Sequence, residues 1–203
     1  MTESAAPASS PVTEHFDTYL GEIAEGWRTP GRDGGHGTFS IARFALKPFK
    51  DWAVLGTYGL SRDVLQQPGG QELRQELLIC WPEEEIADST LSHMNAVAQT
   101  VQQTGEVLGR GALLPIPQEP RLTSGDGESP WVAWYVTMPF FLPEKGILMD
   151  AIDPPIVFTW LMPVYADEAE FIEMEGADAF DQLILDNRET CFSHPRGSLL
   201  VGA

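Results

Sequence analysis

Basic residues and cysteine are the scarce components of this 203-residue chain. Only 12 Lys and Arg stand against 30 Asp and Glu, for a formal net charge of −18. That balance argues against a nucleic-acid or anionic-membrane surface and favours a basic partner or plain solubility. Two cysteines, Cys80 and Cys191, are too few for a disulfide framework or, by themselves, a zinc site. Apolar runs break well short of the roughly 20 residues that a membrane span needs. Met1 to Pro11 lacks the basic start and apolar core of a signal peptide, so a cytoplasmic location is expected. The four histidines, His15, His36, His93 and His194, form no metal-binding pair, and neither HExxH nor CxxC occurs. No metal and no cofactor is expected.

What is present suits one globular domain: 43% hydrophobic residues and 21% charged. The Ala-, Ser- and Pro-rich start predicts a disordered tail over 1–12, a folded domain over 13–190 and a C-terminal tail over 191–203. Thr13 offers a cap, and Phe16, Leu20, Ile23 and Trp27 follow at helical spacing, predicting a helix over about 14–26. Arg28 to Gly37 reads as a glycine-rich loop. Its glycines lie after a helix and before a strand, without the Lys-Ser of a phosphate loop.

Strands are predicted around Phe39–Leu46, at Trp52–Tyr58 (apolar throughout, hence buried on both faces), and at Leu73–Trp81. In the last, Leu73, Leu77, Ile79 and Trp81 share an inner face that Gln75 interrupts, while Arg74 and Glu76 lie on the outer face. Pro82–Glu85 opens a helical region. Asp88 or Ser89 caps a helix through Leu91, Met94, Ala98 and Val101, which Gly105 ends. A short apolar piece at Leu113–Ile116 precedes strands at Trp131–Met138 and Ile156–Val164, the latter held to a terminus or edge by Pro163. Two short helices, Asp167–Glu175 and Asp178–Leu185, flank Gly176. The fold class expected is α+β: a single mixed, mainly antiparallel sheet packed with helices.

Charge is unevenly placed. Glu83, Glu84 and Glu85 form one acidic run, and nine acids against one base fill Asp167 to Glu189. Acidic helix starts satisfy the helix dipole, and they also steer basic partners. Cys191 and His194, three apart, resemble a thiol and its base, but a chain end beside Pro195 is a poor frame for nucleophilic catalysis. Cys80 reads as a core residue, His93 as a surface one, and Trp131, Trp134 and Tyr135 as core before groove.

Three segments together resemble the Suppressor of Fused family. They are VLGTYGLS (Val54–Ser61) with ELRQELLI (Glu72–Ile79), the Trp81-Pro82 to Gly105 helix region, and Pro155 to Ile184. The likeness spans about residues 40 to 185. It implies a sheet-centred fold and a non-enzymatic, protein-binding role. In it Gly59 allows a sharp turn and Ser61 bonds the turn backbone. Animal members carry a second lobe and clamp a transcription-factor peptide by strand addition. In these 203 residues a second lobe is not expected, so the peptide is not carried over. Single-domain bacterial relatives imply an immunity protein that neutralises a toxin by direct contact, and a basic toxin domain suits the −18 charge. The contact residues expected are Glu83, Glu84, Glu85, Asp167, Glu168, Glu170 and Glu173. The alternatives are a regulatory adaptor for a cellular protein and an enzyme with an unrecognised site.

Overall fold

The structure is a computed structural model and describes residues 11–30, 36–117, 122, 130–193 and 196–201. Within these, nine strands form one sheet: β1 (Ile23–Pro30), β2 (His36–Phe44), β3 (Trp52–Tyr58), β4 (Leu65–Gln66), β5 (Glu72–Pro82), β6 (Leu113–Pro115), β7 (Ala133–Thr137), β8 (Leu148–Met149) and β9 (Ile156–Val164). The order across the sheet is β1-β2-β3-β5-β9-β7-β6, with β4 beside β5 and β8 beside β9. All pairs are antiparallel except the central one, β5 with β9. The mixed, mainly antiparallel α+β architecture read from the sequence is the one observed.

Helices cover both faces. Among the described residues they are α1 (Pro11–Tyr19), α2 (Asp88–Thr104), α3 (Glu144–Ile147), α4 (Ala166–Glu175), α5 (Ala177–Asp186) and α6 (Arg188–Cys191). On one face Met94, Ala98 and Val101 of α2 pack on Leu77, Ile79 and Trp81 of β5 and Leu161 of β9. On the other, Phe16 and Leu20 from α1 and its end meet Phe44, Leu78 and Phe158, while Ile172, Phe180 and Ile184 of α4 and α5 meet Tyr135, Trp160 and Met162. Strands wrapped on both faces need apolar residues at successive positions, which explains the unbroken runs of β3, β5 and β9.

Several expectations change. The first helix ends at Tyr19 because Gly21 takes a positive φ of 78°, and Ile23 and Trp27 belong to β1, paired with Phe44 and Ile41. Glycine takes that turn without the Cβ clash another residue would meet. Glu76 lies on no wet face: its residue is fully buried. Pro82–Glu85 forms a strand end and a 3-10 turn, and α2 starts from Ala87 with no side-chain cap from Asp88 or Ser89. Gly105 does end α2, in the left-handed region at φ 67°. His93 is buried, not on the surface. Cys191 and Leu199, expected in a tail, are core residues. Gly31, Gly34 and Gly35 of the predicted loop, and His194, fall outside the described residues.

Candidate functional site

β5 and β9 run parallel and pair from Arg74 with Ile156 to Leu78 with Trp160. Both strands continue for four residues, to Pro82 and Val164, with no further pairing between them. There β5 still pairs β3 on its far side, and β9 still pairs β7. The sheet therefore splits at its centre and leaves two facing half-edges. Pro163 sits on one of them, past the end of the β5 ladder, so a residue without an N–H costs that side nothing. The edge expected for Pro163 exists, inside a central strand.

The slot is lined from both faces of the sheet by Trp52, Cys80, Trp81, Trp131, Trp160 and Met162, and closed by Cys191, Phe192 and Arg196. What remains open is about 20 Å³, the scale of one water molecule. The indole Nε1 atoms of Trp131 and Trp160 are buried here without a hydrogen-bond partner. An unpaired buried donor is costly, and an incoming carbonyl would relieve it. Cys191 is no nucleophile in this setting, because burial pushes its thiol up to about 12, leaving it protonated at neutral pH.

Parallel strands end on the same side. The two acidic runs found in the sequence therefore begin at the same end of the sheet, Glu83–Glu85 directly after β5 and Asp167 three residues after the end of β9. Within them the residues divide. Glu84, Asp167, Glu170 and Glu173 are exposed. Glu83 is half-buried and ion-paired to Arg43 at 2.6 Å and Lys47 at 2.7 Å, and the Lys47 bond holds its carboxyl below the usual range. Glu85 is half-buried, and its backbone carbonyl accepts the Trp81 indole N–H at 3.2 Å. Glu168 is fully buried and is removed from the expected contact surface. It accepts Arg196 on both carboxylate oxygens (2.6 and 2.8 Å), the Tyr165 N–H at 2.9 Å and the Leu199 N–H at 2.8 Å. Asp167 accepts the Ser198 hydroxyl at 2.6 Å and the Glu168 N–H at 2.9 Å.

The turn residues are tied to a group that the sequence reading left aside. Gly59, at φ 100°, donates its N–H to Glu76 at 2.9 Å, and Ser61 donates its hydroxyl at 2.7 Å and its N–H at 3.1 Å to the same oxygen. Ser61 thus serves the Glu76 carboxylate as well as the turn. Burial raises the Glu76 carboxyl above its ordinary range, and these donors with Thr57 draw it back. Among the described residues no group of three or more His, Cys, Asp or Glu is arranged to hold a metal ion. Also among them, no helix is long and apolar enough to cross a membrane.

A family model described as "Suppressor of fused protein (SUFU)" matches residues 35–196. Among solved structures, a crystal structure of a SUFU homologue from Neisseria gonorrhoeae superposes with a TM-score of 0.63 at 14% identity, covering 95% of this chain and 94% of that one. The Sufu–Fu complex gives 0.65 at 14% identity, with 94% and 91% covered. Drosophila Suppressor of Fused gives 0.53 at 16% identity, and there 80% of this chain matches 43% of the longer one. No curated protein matches the sequence.

Proposed function

The chain belongs to the Suppressor of fused family, and from that premise we propose that it is a non-enzymatic binding domain of immunity type, which neutralises a basic toxin in the cytoplasm by direct contact. The observation that carries this reading is the convergence of two acidic runs on one end of the sheet, around a slot between strand half-edges. Glu84, Asp167, Glu170 and Glu173 supply the exposed charge, and the −18 net charge extends their field. The Sufu–Fu complex, a structural relative, shows a member of this fold class in a protein complex.

Opposite charge across an interface acts mainly on encounter, so its signature is kinetic and salt-dependent. The test captures partners from the native cells at low and high salt, then measures association of the retained protein by surface plasmon resonance. Replacing Glu84, Asp167, Glu170 and Glu173 together by Lys should lower the association rate about tenfold or more and flatten its salt slope. An unchanged rate and slope would remove the acidic end from the interface. The apolar lining of the slot favours a second reading, an adaptor for a cellular protein. Binding that persists in molar salt would select it.

A further inference from the structure

We infer that the C-terminal segment, described at Arg188–Ser193 and Arg196–Leu199, is an internal occupant of the slot, fastened most densely at the buried Glu168 carboxylate and displaced when a partner binds. The inference rests on the reading above that this end of the sheet is the contact surface. Phe192 enters the slot from α6. Its ring stacks on Phe49 at 4.0 Å and on Trp160 at 5.7 Å, and meets Trp52 edge-on at 5.5 Å. One aromatic side chain thereby joins the Phe49–Trp52 stretch to β9 across the split.

Arg196 covers the neighbouring half-edge. Its Nη2 donates to the Pro163 carbonyl at 2.6 Å, on the side where β9 has lost β5. A bound strand would otherwise meet β9 on this unpaired side, so Arg196 stands where a partner's N–H would stand. The same guanidinium grips Glu168, lies over the Tyr165 ring at 5.1 Å, and is itself buried. The Tyr165 hydroxyl donates to the Arg196 carbonyl.

The way the segment is held makes it releasable. Among the described residues it joins no strand ladder, and α6 is only four residues long. Three of its bonds converge on one carboxylate, Glu168: two from Arg196 and one from the Leu199 N–H. Bonds gathered on one carboxylate are lost together, which lets the segment open locally, below the cost of global unfolding.

The test uses the full chain and a fluorescein-labelled synthetic peptide of residues 188–201 as probe, with fluorescence anisotropy as readout. Arg196→Gln in the chain weakens the tethered segment while leaving Glu168 to receive the peptide's arginine. This variant should bind the peptide about tenfold or more tighter than the wild-type chain, and a peptide carrying Arg196→Gln should lose that gain. Equal binding by variant and wild type would overturn the inference. Hydrogen exchange on the unmodified chain is a second arm that does not depend on the variant folding. The Leu199 amide should exchange about tenfold or more faster than the Leu55 amide in the β3–β5 ladder, and equal protection would overturn the inference. Both arms report on the segment and the slot alone, so their failure is separable from failure of the charge-reversal test.

Discussion

Three buried carboxylates, Glu76, Glu168 and Asp181, show what single residues do in this fold: each fastens segments far apart in the chain. Asp181 on α5 accepts the Tyr135 hydroxyl at 2.8 Å and the Thr137 hydroxyl at 2.7 Å, both from β7. Arg110 adds its Nε at 2.5 Å, and its Nη2 reaches the exposed Asp178 at 2.6 Å. Burial, reinforced by Asp181, pushes the Tyr135 hydroxyl up, so it stays a donor. Asp181→Ala takes the acceptor from the Thr137 hydroxyl, leaves the Tyr135 hydroxyl only the Ala177 carbonyl at 3.2 Å and leaves Arg110 only Asp178, and should cost about 3 kcal/mol in urea unfolding. A loss within experimental error would mean that the hydroxyls find other acceptors. None of these three was legible as a buried anchor. Alternation marked Glu76 as outward because it assumes one wet face, and Glu168 and Asp181 read as members of an acidic helix surface.

At the scale of elements, the strongest apolar patterns mapped directly onto structure: β3 and β9 have the bounds read from the sequence. The first helix failed in its second half, because Phe16, Leu20, Ile23 and Trp27 keep helical spacing across a glycine that turns the chain. Periodicity carries no information about φ at Gly21, whereas pairing with β2 decides the outcome. Helix α1 docks through His15, whose ring stacks on Phe158 at 4.8 Å and whose Nε2 lies 3.3 Å from the Gly146 carbonyl. Burial lowers the His15 pKa below 6.5, outweighing the pull of that carbonyl. Glu14, Glu144, Asp150 and Lys145 border the same groove. A depressed folded-state pKa places the stabilising contribution above the unfolded value, and it is lost as pH falls through the folded one. Protection of the Leu20 amide, corrected for intrinsic exchange, should therefore drop between about pH 7.5 and 5.5 in the wild type. His15→Phe keeps the stack and should abolish the drop. Identical profiles for the two proteins would exclude His15 as the cause.

Over the whole molecule, the excess of acid opposes compaction, since like charges are brought together on folding. Adding roughly 0.5 M sodium chloride should raise Tm by about 2–5 °C, measured by scanning calorimetry, as screening removes more repulsion than the few exposed ion pairs contribute. A fall in Tm would show that pairs such as Arg43–Glu83–Lys47 outweigh the net charge. Family and architecture were legible in the sequence, through the order of its turn and strand motifs. The acidic end was legible only in part. The acids were visible, but the slot that gathers them depends on β5 meeting β9, and strand pairing leaves no local mark. That central parallel ladder also sets an order of assembly. β1, β2, β3 and β5 follow one another and can form their ladders as they leave the ribosome, but the partner of β5 is translated much later. Until Ile156–Val164 emerges, the nascent chain carries an open, apolar strand edge at what will become its centre, where chaperone binding and misassembly of newly made chains are set to compete.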